Sequence, residues 1–358
     1  MVTPKTSEIT DPIQQVLDQE SCKVQLNLSS SPHMRHSETV PSIMLWVIGA
    51  LIPSMIASYM FFGVRALFLT IISVVTAVAV EEIICRLLKR PSSLKDCSAI
   101  LTGILLAFNL SPALPWWMVV IGASFSIGVV KMAFGGLGNN FLNPALAGRV
   151  FLMACYPAQM NTWIAPKFGT LSGLDGVTTA TPLTNIKMCM ANGSFQALDF
   201  QDALVNLFIG NVGGCIGETS AIAILIGAVI LLYKHIIGFS IPVTFIGTAF
   251  LLFWLFNGTG QLFTSGSIIV PFYHILAGGL LLGAFFMATD MVTSPITRRG
   301  KLIFGVGCGV LTFIIRKFGG YPEGVSYSIL IMNLFVPLIE RFTRPKIYGE
   351  VKKRDRYN

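Results

Sequence analysis

The chain has 358 residues, 53% of them apolar and 12% charged, with a formal net charge of +8 and a mean hydropathy of +0.71. A water-soluble globular domain of this length rarely reaches such values, so lipid is read as the solvent for most of the chain. The basic excess falls in short loops and the tail, where topology accounts for it better than nucleic acid does.

Residues 1–40 are polar and lack the charged start, apolar middle and cleavage site of a secretory signal, so they are read as a retained cytoplasmic segment. Apolar runs bounded by proline, glycine and charge then predict spans at 41–62, 66–88, 97–110, 115–134 and 143–157, a first set of five. A long polar loop, 158–216, follows. A second set of five is predicted at 218–237, 239–256, 271–289, 301–316 and 325–340, within 217–341, before a basic tail, 342–358. The third and fifth runs are short for a full crossing, which points to broken or re-entrant helices shielded by protein. The expected fold is an all-α integral membrane protein of about ten transmembrane helices.

Basic residues orient this bundle. Arg86, Lys89, Arg90, Lys95, Lys234, Arg298, Arg299, Lys301 and the tail fall on one side by parity, which is therefore the cytoplasmic side of the cell inner membrane, with both termini. The loop 158–216 lies on the other side, and Arg316 with Lys317 is a local exception to the pattern.

Landmarks recur between the halves: Ser111-Pro112, Phe134-Gly135-Gly136 and Phe151 match Ser294-Pro295, Phe318-Gly319-Gly320 and Phe335 at nearly equal spacing. Five spans separate the equivalents, and an odd offset makes the two five-helix repeats inverted, with the functional centre expected at their interface. Chance agreement of low-complexity apolar sequence is the competing explanation.

Several polar features could carry chemistry. Asp175, Gly176, Thr178, Thr179, Thr181 and Pro182 form a small, hydroxyl-rich segment that local physics reads as a turn. An exposed threonine hydroxyl flanked by small residues is equally able to accept a phosphoryl group. Gly135, Gly136, Gly138, Asn139, Asn140, Asn143 and Pro144 interrupt an apolar region, either as a turn before a helix cap or as a cofactor site in which Asn140 and Asn143 bond a flavin edge. Arg149 in an apolar run costs about 2.5 to 3.5 kcal/mol unless a phosphate or carboxylate pairs with it.

Acids in or at the ends of spans are candidates for a cation path. Glu218, opening the sixth span, and Asp290, ending the eighth, stand out; Glu82 and Glu340, close to a basic interface, are read as snorkelling or as pairing with Arg86 or Arg341, and Glu81 lies beside Glu82. Glu218 has the alternative of favouring a helix N-terminus through its dipole. His33, His36 and His274 lack metal-ligand spacing, and the seven cysteines (22, 85, 97, 155, 189, 215, 308) form no CxxC pair, so no metal site is expected. GGLGNN lacks the third glycine and setting of a dinucleotide fingerprint.

The segment DGVTTATP resembles a flavin-transferase acceptor motif. Together with SPH (31–33), FGGLGNNFLNPALAGRVFL (134–152), IGETSA (216–221), FMATDMVTSPIT (286–297) and FGGYPEGVSYSILIMN (318–333), it resembles the family that includes the RnfD component of the Rnf complex and the NqrB component of the sodium-pumping NADH:quinone reductase. The resemblance runs from Ser31 to Arg344. It implies an electron-transfer subunit of an ion-translocating ferredoxin:NAD⁺ oxidoreductase, with FMN joined to Thr181 by a phosphoester and Asp175 serving recognition of the acceptor loop. It further implies non-covalent riboflavin near Asn140 and Asn143, a flavin transferase and other complex subunits as partners, and Na⁺ or H⁺ as the coupling ion. The quinone-reductase component is the alternative within the redox class, and a passive channel or transporter is the alternative outside it, though neither channel nor transporter needs DGVTTATP.

Overall fold

The computed structural model describes residues 38–166, 179–192, 200–256, 269–321 and 323–344. Residues from Val40 onward form one packing unit, separate from Met1–Thr39. Asp175, Thr178, His33, His36 and the basic tail beyond Arg344 lie outside the described residues.

Among those residues the secondary structure is helical, with no strand. The first five helices are α1 (Val40–Phe62), α2 (Val64–Leu87), α3 (Ser98–Phe108), α4 (Trp116–Met132) and α5 (Pro144–Cys155). Then come α6 (Pro182–Asn192), α7 (Phe200–Ile209), α8 (Ala221–Tyr233) and α9 (Ser240–Phe256). The last four are α10 (Ile269–Leu276), α11 (Leu280–Met287), α12 (Arg298–Phe318) and α13 (Val325–Thr343). Three of these, α1, α2 and α13, are long and apolar enough to cross a membrane, and α10 with α11 qualifies as one span bent by 67°. The short third and fifth runs are borne out: at 11 and 12 residues, α3 and α5 extend only about half of a ~30 Å hydrocarbon core.

Polarity is distributed inside out. Ile52, Ile56, Phe68, Ile71 and Val75 of α1 and α2 are exposed, while Glu81, Lys131, Arg149, Glu218, Arg316 and Glu323 are buried. Apolar side chains outward and paired charges inward are what a lipid solvent selects.

Glycines allow close helix approach in the interior. A Cβ at Gly103 of α3 would stand 2.7 Å from Val74 Cα of α2, and Ser73 Oγ donates to Gly103 O at 2.7 Å. Gly227 brings α8 against the Ala50 carbonyl of α1, and Gly305 and Gly309 bring α12 against α9.

Three expectations about elements are corrected. The span expected at 271–289 breaks at Ala277–Gly279, where Gly278 has φ 70°, a left-handed backbone open to glycine at little cost. The sixth span starts at Ala221 and not at 218, because the Ser220 side chain caps it by accepting from Ala223 N at 3.4 Å; Glu218 lies in the preceding turn. The polar loop 158–216 contains α6 and α7, held to α10 by Leu183, Ile186, Leu207, Val270, Tyr273 and Ala277. Pro182 suits the first position of α6, where no N–H partner is needed.

Two helical segments widen to π geometry, Ser126–Met132 at the end of α4 and Gly283–Met287 in α11. Both flank the cleft described below.

Candidate functional site

Thr181 stands at the N-terminus of α6. Its Oγ1 accepts from Thr184 N at 3.2 Å and lies 2.8 Å from Thr184 Oγ1, while its carbonyl accepts from Asn185 N at 3.0 Å. These are the bonds of a helix cap. Tyr273 Oη donates to the adjacent Pro182 carbonyl at 3.1 Å, tying the cap to α10. The hydroxyl expected to be exposed is buried, at 4% exposure, because the capped helix end packs down on α10. It faces a recess of about 340 Å³ walled by Gly213, Gly214, Gly278, Glu218 and Glu323. Nearby, Thr179 Oγ1 is buried without a hydrogen-bond partner.

Behind that recess lies a buried charge network centred on Arg149 of α5. Nη1 donates to Asn109 Oδ1 at 2.9 Å, Glu218 Oε1 at 3.2 Å and Ser326 Oγ at 3.2 Å. Nη2 reaches Cys215 Sγ at 3.4 Å and forms an ion pair with Glu323. The partner anticipated for Arg149 is thus a pair of carboxylates, and both of its Nη atoms are engaged by protein groups.

Arg316 of α12 is buried as well, donating to the carbonyls of Glu323 at 2.9 Å, Ala277 at 3.3 Å and His274. Its place in the positive pattern now has a cause: it satisfies carbonyls freed by the break between α10 and α11. Lys317 donates to Phe256 O at 2.7 Å and lies 5.3 Å from the centre of the Phe256 ring.

Counted together, Arg149 and Arg316 balance Glu218 and Glu323. The ligand atoms of Cys215, Glu218 and Glu323 lie within 4.8 Å of one another, a spacing that suits a metal ion, but Arg149 bonds to all three residues and fills the cation position. The Glu218 carboxylate also packs on Gly279, where any Cβ would collide with it. Glu218 is thereby a wall of the Thr181 recess and an anchor of the helix break.

A second, larger cleft of about 800 Å³ is lined by Lys131, Asn140, Asn143, Phe286 and Asp290, among others. Asn143 caps α5: Oδ1 accepts from Ala145 N at 3.1 Å and Leu146 N at 3.4 Å, and Nδ2 donates to Met287 O at 3.3 Å. Asn140 points inward at 6% exposure, whereas Asn139 is exposed. Asn140 Nδ2 donates to Leu142 O at 3.2 Å, and its Oδ1 is buried with no partner. Asp290 accepts from Thr293 Oγ1 at 3.0 Å and Val292 N at 3.4 Å, with no salt bridge among the described residues.

The sequence reading missed Lys131. Its Nζ lies 2.6 Å from Glu81 Oε2 and 2.8 Å from Ser98 Oγ, and Glu81 Oε1 accepts from Ser93 Oγ at 2.5 Å. The signal available was a lysine inside an apolar run, as costly there as Arg149. Glu82 pairs with Arg86 at 2.7 Å as expected. Glu340 instead accepts from Ile296 N at 3.0 Å, capping the loop before α12 in place of the expected bond to Arg341. His274 is buried, its ring nitrogens without partners, stacked on Phe253 at 4.0 Å, which is a packing role.

Residues 27–349 match the family described as NQR2, RnfD, RnfE. The chain is similar to the D component of the Na(+)-translocating ferredoxin:NAD(+) oxidoreductase complex of Acetobacterium woodii, 46% identical over 92% of this chain and 97% of the relative. It is 45% identical to the D component of the proton-translocating ferredoxin:NAD(+) oxidoreductase complex of Clostridium ljungdahlii, over 90% of this chain and 96% of the relative. It is 38% identical to the D component of the ion-translocating oxidoreductase complex of Salmonella arizonae, over 91% and 99%.

Proposed function

Because the chain belongs to the NQR2, RnfD, RnfE family, we propose that it is a flavin-carrying, electron-transferring membrane subunit of an ion-translocating ferredoxin:NAD⁺ oxidoreductase complex. The observation that carries this reading is identity of 46% and 45%, along nearly the whole length, to relatives named as components of complexes with that activity. The partners are then the other subunits of such a complex, the lipid bilayer and a flavin transferase.

Thr181 is the proposed attachment point of FMN. A phosphoryl group on its Oγ1 would stand at the N-terminus of α6, where the Thr184 N–H that Oγ1 already accepts and the helix dipole favour negative charge. That support replaces Arg149, whose Nη atoms already bond to protein groups. Gly213, Gly214 and Gly278 keep part of the recess wall free of side chains, Thr179 offers an orphaned hydroxyl nearby, and the Glu218 and Glu323 carboxylates on the same wall are already paired with Arg149, so the residues present fit such a group. Asp175 and Thr178 complete the acceptor segment by its sequence.

Riboflavin is the proposed occupant of the larger cleft, bordered by Asn140 and Asn143. Flavins supply stepwise electron transfer; the chain's residues hold and orient them and exclude water. Lining the same cleft without a salt bridge, Asp290 is a better-placed contributor to a cation path than Glu218, which Arg149 neutralises.

The ten-span, inverted-repeat arrangement is part of this proposal, with the termini cytoplasmic and the Thr181 loop on the other side of the cell membrane. Its support is that packing recurs by equivalence: α2 packs on α3 and α4 as α9 packs on α10 and α12, while α1 meets its equivalent α8 and α5 its equivalent α13. Arg149 and Asn333, each two residues before the matched Phe151 and Phe335, are both buried and cross between halves. Arg149 reaches Ser326, and the Asn333 side-chain amide, turned so that its oxygen faces Asn143 N, accepts from it at 3.2 Å.

In-gel ultraviolet fluorescence of the denatured chain, co-expressed with a flavin transferase, tests the attachment. A fluorescent wild type and a dark Thr181→Ala are expected. A fluorescent Thr181→Ala would move the flavin elsewhere.

A further inference from the structure

We propose that α6 is a strap that controls when Thr181 can be modified: the flavin transferase works on the chain with α6 lifted from α10, and the packed helix is the state that keeps the adduct. This rests on the attachment proposed above. Thr181 is buried at 4% exposure, and its Oγ1 is engaged twice by Thr184, whose N–H donates to it at 3.2 Å and whose Oγ1 lies 2.8 Å away. Three ties hold this helix end down. Leu183 and Ile186 pack on Val270, Tyr273 and Ala277, Tyr273 Oη donates to the Pro182 carbonyl at 3.1 Å, and Lys187 Nζ donates to the Gly319 carbonyl at the end of α12.

Transfer from a flavin dinucleotide forms a bond from Thr181 Oγ1 to the riboflavin-side phosphorus and breaks the pyrophosphate bond, so AMP leaves and the hydroxyl proton passes to a base of the transferase. Oγ1 must therefore meet the phosphorus in line with the departing oxygen. In the packed helix it meets only a recess of about 340 Å³, walled in part by the paired carboxylates of Glu218 and Glu323. That space suits a phosphoryl group and is too small for a dinucleotide held by an enzyme. Lifting α6 breaks two hydrogen bonds to neighbouring elements and uncovers one small apolar cluster, an opening of local and not global scale. After transfer Oγ1 carries no proton and can only accept, so the Thr184 hydroxyl becomes the donor across the 2.8 Å contact, and the phosphoryl oxygens stand at the helix N-terminus. The adduct thus favours the packed helix that its attachment had to open.

The test uses the whole complex made without the transferase, then given transferase and FAD while covalent fluorescence on the chain is followed. Hydrogen exchange at the Thr184 and Asn185 amides, which close the cap, reads the opening of α6 in the same samples. Tyr273→Phe and Lys187→Met each remove one tie and are expected to raise both exchange and modification rate about three- to tenfold, the worth of one hydrogen bond. Leu183→Ala, which removes a buried contact with α10, is expected to raise them further. Assembly and thermal midpoint of each complex show that the variants are folded. Once modified, the wild-type chain is expected to exchange at these amides more slowly than before. Equal modification rates in variants whose α6 exchange has risen would overturn the proposal, since the transferase would then act on the packed helix; faster exchange after modification would overturn the closing step. A wild type that stays dark even when co-expressed with the transferase would instead remove the attachment at Thr181 itself.

Discussion

Arg149 shows how a single buried charge organises its surroundings. Its guanidinium is a planar fork whose two Nη atoms are shared among Asn109, Cys215, Glu218, Glu323 and Ser326, drawn from three separate segments. Arg149→Met strands two buried carboxylates and is expected to cost about 3 to 5 kcal/mol, read as a lower thermal midpoint and reduced yield of the complex. Arg149→Lys is expected to be a poor substitute, since an ammonium cannot span that fork; stability equal to wild type would show that charge alone matters. For ion coupling, Asp290→Asn is expected to lower Na⁺ or H⁺ uptake into vesicles with the complex intact, whereas Glu218→Gln acts chiefly on stability. Unchanged uptake in Asp290→Asn would clear that residue of a transport role. The cost of Arg149 and the identity of Asn140 and Asn143 were legible from sequence; the pairing of Lys131 with Glu81 was not, because fifty residues separate them and only packing of α2 on α4 brings them together.

At the scale of elements, apolar runs located the helices well, since burial against lipid or protein demands a hydrogen-bonded backbone whatever the tertiary detail. What the runs could not reveal were the interruptions. The bend between α10 and α11 rests on Gly278, on carbonyls claimed by Arg316 and on Gly279 yielding space to Glu218, all set by distant residues. Gly278→Ala is expected to cost about 1 to 2 kcal/mol for the left-handed backbone. Gly279→Ala is expected to be worse, displacing the Glu218 carboxylate from Arg149. Thermal midpoints of the two variants check the order, and a Gly279→Ala protein as stable as wild type would contradict the anchoring of the break by Glu218. α6 and α7 escaped the hydropathy reading because their apolar faces are narrow and cover α10 rather than lipid.

At the scale of the whole molecule, a recess at Thr181 and a cleft bounded by Asn140, Lys131 and Asp290 are separate, and Glu218 and Glu323 of the neutral Arg149–Arg316 network wall the first. In the proposed topology the Asn140 cleft faces the cytoplasm and Thr181 the opposite side, so cysteine labelling tests the arrangement directly. With Cys22, Cys97, Cys155 and Cys189 replaced, Ser92→Cys is expected to label from the cytoplasmic side alone and Asn161→Cys from the other; both are exposed positions. Labelling of the two from one side would refute the topology. The membrane class and the all-helical character were readable from composition and apolar runs, but the proposed attachment chemistry came from DGVTTATP and family resemblance, since hydropathy says nothing of which hydroxyl carries a group. The most direct measurement is the flavin content of the isolated chain after acid precipitation, made with a flavin transferase present. One flavin retained in the pellet on the peptide containing Thr181 and one riboflavin released to the supernatant are expected. A pellet free of flavin, or flavin on a peptide without Thr181, would contradict the proposed function at its centre.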